Sequence, residues 1–145
     1  MPEQETVKRA REDAREGKSP STQAGEFVRE EIHHIREGKH GARSPQQAIA
    51  IGLSKARRAG VKLGPPKGFA SLRRKAQQDS TAGEHPDHER SHKRSRAVFA
   101  ALKREPGSSA SDQAISKQTK KSAAKRGSSN RRAAALKGAR TRKAA

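Results

Sequence analysis

Three histidines, His85, His88 and His92, stand at i, i+3 and i+7 beside Glu84, Asp87 and Glu89. On a helix, imidazoles at this spacing share one face, and with a carboxylate they offer the nitrogen and oxygen donors that zinc takes. Pro86 interrupts the segment that would have to be helical, and nothing apolar stands nearby to orient the rings. The set therefore reads as a solvated cluster, and no metal ligand is assigned to it. His33 and His34 are neighbours on a predicted helix, so they cannot both face a core. Glu30 and Glu37 lie three or four residues away, which is ordinary pairing on a helix surface. His40 follows in a loop, with no nucleophile or partner carboxylate implied.

No other chemistry-bearing constellation emerges. The glycine-flanked segment GVKLGPPKG matches neither phosphate-binding fingerprint and follows no strand. No paired buried carboxylates, nucleophile or cofactor loop can be read, so the expectation is a chain that is not an enzyme and carries no cofactor. The sequence contains no cysteine, which excludes disulfides and thiolate metal sites. Its first residues, MPEQETVKRARED, lack the apolar stretch of a secretory signal. No apolar run approaches the roughly 18 residues of a membrane span. A cytoplasmic, nucleoid location with no membrane partner is expected.

The cations carry the stronger signal. Residues 1–40 hold eight Lys/Arg and nine Asp/Glu, residues 41–105 fifteen and five, residues 106–145 eleven and one. Such an excess needs a polyanion, and nucleic acid is the usual one. Lys55, Arg57, Arg58 and Lys62 cluster at the end of a predicted helix, as a phosphate patch or as charges that complement the helix dipole. Lys117, Lys120, Lys121, Lys125, Arg126, Arg131, Arg132, Lys137, Arg140, Arg142 and Lys143 meet only Asp112 in their segment. These fifteen residues are the expected nucleic-acid contacts. There is no Tyr or Trp and only three Phe, so no platform for stacking bases is present. The expected mechanism is phosphate contact without sequence readout, with DNA favoured over RNA. An RNA or ribosome-associated protein, or an adaptor binding a protein partner, stands as the alternative.

The elements that must hold these residues are helical. Ile, Leu, Val and Phe number 17, fewer than a fully packed chain of this charge would carry, and nine fall between Phe27 and Leu63. Residues 1–18 predict a charged surface helix with one large apolar residue, Val7, stopped at Gly17. Ser19-Pro20 opens a second helix whose Ala24, Phe27, Val28, Ile32 and Ile35 form one stripe ending at Gly38. Ser44-Pro45-Gln46-Gln47 reads as a capping box opening a third helix, stopped at Gly60, with Val61 placed for a Schellman contact. Gly52 predicts close packing of the third helix on the second. Residues 19–63 are thus a helical hairpin, the place for a protein partner or self-association. Residues 64–92 read as a linker with a short helix over 69–78, residues 93–105 as a short helix, and 106–145 as a largely disordered basic tail, in which a pair of helices at about 112–126 and 130–144 is suggested that should be mostly unfolded in isolation. The fold class is all-α, a small hairpin with further short helices and that tail.

The segment REGKHGARSPQQAIAIGLSKARRAGVKL (36–63) resembles an uncharacterised family of small basic bacterial proteins, a domain of unknown function. STQAGEFVREEIHHIREG (21–38) is similar to that family's upstream helix. The tail resembles histone H1-like bacterial proteins in composition. The resemblance implies a bacterial source and a helical hairpin; it implies no site residues.

Overall fold

Ser19 and Ser44 each precede a proline, and in the computed structural model each begins a helix. Among the described residues, 2–85 and 91–144, the backbone forms seven α-helices and one 3-10 turn, with no strand. They are α1 (Gln4–Arg15), α2 (Pro20–Arg36), α3 (Pro45–Arg58), α4 (Ala70–Glu84), α5 (His92–Lys103), the turn Gly107–Ala110, α6 (Asp112–Lys125) and α7 (Gly127–Ala144). The all-α class expected from the sequence is therefore the class observed. The chain divides into two compact units, Met1–Ala110 and Ser111–Ala145.

The first unit is organised around α2 and α3. Ser19 Oγ accepts from the Thr22 N–H and Ser44 Oγ from the Gln47 N–H, with proline at the first turn of both helices. The Gln47 side chain completes a box of altered register, its Oε1 accepting from the Arg43 N–H at 2.7 Å. α3 ends as its sequence predicts. Gly60 adopts φ +91°, the Gly60 N–H donates to Arg57 O and the Val61 N–H to Ala56 O, both at 3.0 Å. That is the Schellman pattern, and it folds Val61 back into the core.

Gly52 is where α3 meets α2 most closely. A Cβ added there would stand 2.7 Å from the Val28 Cα, a backbone atom that cannot swing aside. Gly52→Val should therefore destabilise the first unit by about 1–3 kcal/mol through overpacking. A lowered urea midpoint with an unchanged slope would show it; an unchanged midpoint would show that the helices slide apart freely.

Two apolar clusters hold the unit. Phe27, Ala24, Ala56, Val61 and Ala10 form one, with Val7, Leu53, Ala59 and Leu63 packed on it. Ile35, Ala42, Ala48 and Ala110 form the other, beside Ile32. Val7 and Ala10 come from α1, so the charged helix expected over residues 1–18 is present and is docked on the core. Its single apolar turn covers the stripe of α2, and Arg9 meets Glu26 at 3.1 Å.

The 64–92 linker is corrected. α4 occupies most of it, longer than the short helix expected, and packs on α3. Gly83 lies so close to the Arg57 carbonyl that a Cβ would collide with it. Asp79, 2% exposed, takes Ser54 Oγ at 2.7 Å, Arg58 Nε at 2.8 Å and Lys75 Nζ at 2.9 Å. Burial pushes the Asp79 carboxyl up, but the bonds from Ser54, Lys75 and Arg58 outweigh it, and its pKa lies below the ordinary 3.8. A depressed folded-state pKa gives stability that is present above the unfolded value and lost as pH falls through the folded one. The stability gap between the native chain and Asp79→Asn should therefore be full at pH 5 and shrink below about pH 4, as read from urea midpoints. A gap independent of pH would remove the carboxylate from the account.

The second unit consists of α6 and α7, where a disordered tail was expected. Ser111 Oγ caps α6 by accepting from the Ala114 N–H at 3.2 Å. Ala, Lys and Arg all rank high in helix propensity, and no proline occurs after Pro106 to interrupt the run.

Candidate functional site: a buried polar cluster and a cationic helix pair

A helix surface normally sends Glu, Lys and His to solvent. On the C-terminal half of α2 they go inward. Glu31 is 1% exposed and Glu30 6%. They fall on the side of α2 that faces α3, one turn beyond the Phe27 contact, so the packing that buries Phe27 also buries them.

Lys55, projecting from α3, answers both carboxylates. Its Nζ lies 2.7 Å from Glu31 Oε2 and 3.0 Å from Glu30 Oε1. Burial lowers the Lys55 pKa, but the hydrogen bonds and charges of Glu31 and Glu30 more than reverse this, and the net displacement is upward. Lys55 is therefore charged at neutral pH.

The loop after α2 adds His40. The α2 helix ends with the Gly38 N–H donating to Ile35 O and the Lys39 N–H to His34 O, which turns the chain back over its own last turn. Beyond the turn, the Gly41 N–H donates to Leu102 O and the Ala42 N–H to Pro106 O, pinning the loop to the end of α5. Gly41 is required there, since a Cβ would fall inside the Glu105 carbonyl. His40 is thereby buried, its Nε2 3.2 Å from Glu31 Oε1 and its ring edge-on to Phe99 at 6.3 Å. The partner carboxylate that the sequence does not imply for His40 is Glu31, nine residues upstream.

His34 completes the cluster from α2. Its Nε2 lies 2.8 Å from Glu3 Oε1 and its Nδ1 4.0 Å from Glu30 Oε1. Glu3 also binds Lys39 Nζ at 3.3 Å, and the bond from His34 is the foremost cause of its depressed pKa. The Glu3 N–H donates to Glu30 Oε2 at 3.1 Å, so the N-terminus is tied to the cluster by backbone and side chain.

This arrangement revises the phosphate patch expected at the end of α3. Lys55 is spent on Glu30 and Glu31. Arg57 is 9% exposed and donates to Gly64 O at 3.2 Å. Arg58 engages Asp79. Lys62 alone of the four is exposed with no ion pair among those described. The physical reason is that the acidic residues answering these cations lie 21–25 positions away in sequence and directly opposite in space.

The cations of the second unit stand differently. Lys117, Lys120, Lys121, Lys125, Arg126, Arg131, Arg132, Lys137, Arg140, Arg142 and Lys143 are all exposed. On α6, Lys117, Lys120, Lys121 and Lys125 fall at i, i+3, i+4 and i+8, which is one stripe of the helix. On α7 the six cations are distributed around the axis. Of the histidine set in the middle of the chain, His85 follows α4, His92 opens α5, and His88 lies outside the described residues.

Residues 17–68, the α2–α3 hairpin with its flanks, match the model of a family of unknown function, DUF6496. No curated protein and no solved structure matches the chain. Among the described residues no helix is long and apolar enough to cross a membrane.

Proposed function

We propose that the chain binds nucleic acid, duplex DNA in preference to RNA, through phosphate contacts of the basic second unit and without reading base sequence. The role is nucleoid-associated, in the manner of a histone H1-like tail. The observation that carries this reading is the exposure of all eleven cations in residues 111–145 against a single acidic residue, Asp112. The stripe on α6 suits one phosphate backbone, and the all-round charge of α7 suits a groove or two neighbouring strands. With no Tyr or Trp and only three Phe in the chain, neither stacking nor base-edge readout has an obvious instrument.

The test compares the full chain with one ending at Ala110 in titrations of fluorescent duplex DNA at several salt concentrations. The truncated chain should bind far more weakly and with a shallower dependence on salt. Equal affinity in both would overturn the reading. Competition by RNA of the same length decides between the two nucleic acids: stronger competition by RNA would transfer the function to RNA, with the same residues.

A further inference from the structure

His40 poses a question of charge. Its Nδ1 faces Gly41 O at 3.0 Å, and a carbonyl can only accept, so Nδ1 carries the proton. A neutral His40 would then aim the lone pair of Nε2 at Glu31 Oε1, 3.2 Å away. Lone pair against carboxylate is repulsive, so something positive must stand between them. The alternatives are a proton, making an imidazolium, or a metal ion.

Three observations favour the metal. First, one ring nitrogen of His34, one of His40 and one oxygen of Glu31 lie within 4.8 Å of one another. Two imidazoles and a carboxylate are an established donor set for zinc, and with bonds of 2.0–2.1 Å a tetrahedral site has donor–donor edges of about 3.3 Å. The Nε2–Oε1 separation of 3.2 Å already matches one such edge. Second, both Glu31 oxygens are buried, and while Oε2 has the Lys55 ammonium at 2.7 Å, Oε1 has no hydrogen-bond donor on it, so that oxygen has capacity to spare. Third, both histidines are oriented from outside: His40 through Gly41 O, and His34 through Glu3, whose Oε1 is 2.8 Å from Nε2. Anchoring of the far ring nitrogen on a carbonyl or carboxylate is how metal-ligating histidines are held. A shared proton would need one histidine, not two.

Lys55 is the competing cation, and its position is compatible. Its short contact is to Glu31 Oε2, the oxygen remote from His40, and its other partner is Glu30 Oε1. Lys55 thereby holds the carboxylate while leaving Oε1 to a second cation. The side chain of His34 is 12% exposed against 7% for His40 and 1% for Glu31, so entry is from the His34 side.

We propose that Glu31, His34 and His40 form a binding site for a divalent transition-metal ion of zinc type, with Glu3 as the outer carboxylate that orients His34. The site ties the N-terminus, α2 and the loop after it together, and it is independent of the nucleic-acid reading, since none of its residues belongs to the basic second unit.

The probes are Zn2+, titrated calorimetrically into chelator-treated full-length protein, and Co2+, whose visible spectrum reports tetrahedral coordination. One equivalent of Zn2+ should bind, and at a hundredfold excess over Kd it should raise Tm by about 10 °C or more. His34→Gln and His40→Gln should each abolish this site. Glu3→Gln, at an exposed position, should weaken it about 10–100-fold. The triple change His85→Gln, His88→Gln and His92→Gln should leave it intact. The proposal is overturned if the triple change removes binding, if Glu3→Gln and His34→Gln both bind as tightly as the native chain, or if no stoichiometric ion binds.

Discussion

Lys55→Met should destabilise the first unit by about 3–5 kcal/mol. Methionine keeps the length and apolar stem of lysine, so packing between α2 and α3 changes little. What is lost is the ammonium 2.7 Å from Glu31 and 3.0 Å from Glu30. Two carboxylates, both at least nine-tenths buried, then face each other with no ammonium between them, held by the Glu3 N–H and His40. The cost arises from that stranded charge more than from the pair itself, because moving three charges out of water was already expensive. A triple change that also replaces Glu30 and Glu31 with Gln should recover part of the loss, since it removes the charges left without an answer. Chemical denaturation at neutral pH measures both. If Lys55→Met unfolds at the native urea concentration, Lys55 is an ordinary surface lysine and the buried cluster has no energetic role.

The second large effect is on binding. If the eleven exposed cations of the second unit engage six to ten phosphates, affinity for duplex DNA should fall about 10³–10⁵-fold between 50 and 200 mM salt. Counterions released from the duplex drive this, so the slope of log K against log salt counts the phosphates contacted, at about 0.9 for each. Changing Lys117, Lys120, Lys121 and Lys125 to Gln removes the stripe on α6 while preserving helix propensity. The slope should drop by up to about 3.6, uniformly across DNA sequences. Changing Lys55 or Arg58 should leave the slope untouched, because both are engaged within the first unit. A slope that follows Lys55 and Arg58 instead would place the interface on the hairpin.

The hairpin was legible because its signals are local. Apolar residues at three- and four-residue spacing, serine caps followed by proline, and a glycine after the last turn each act within one or two turns of chain. All of them reappear in α2 and α3. Gly52 was legible as a contact for the same reason: a glycine inside a helix costs propensity and needs a compensating neighbour, here Val28.

The remainder was hidden because its causes are distant. Val7 alone could not reveal that α1 docks, since one apolar residue has no period. The 64–92 segment looked like a linker because its helix contributes little apolar surface; what fixes α4 is Asp79 on Ser54 and Arg58, together with the close approach at Gly83. Glu30 and Glu31 read as surface residues by type, and only Lys55, His40 and Glu3 arriving from elsewhere make their burial tolerable. His34 and Glu3 are 31 positions apart, a separation that carries no signature in a single chain. The tail failed in the opposite way. Its charge argued for disorder, whereas its Ala, Lys and Arg content supports the two helices α6 and α7.

By itself, the sequence determined the helical class, the ends of the central helices and the uneven distribution of charge. These follow from backbone capping, side-chain periodicity and composition, none of which needs a partner in space. Tertiary structure decided which charges are available. Lys55, Arg57 and Arg58 are neutralised or buried inside the first unit, and His34 and His40 are gathered on Glu31, while the cations after Ser111 remain in solvent. An ion's worth depends on what stands opposite it and how much water remains, and that is settled only when the chain has folded.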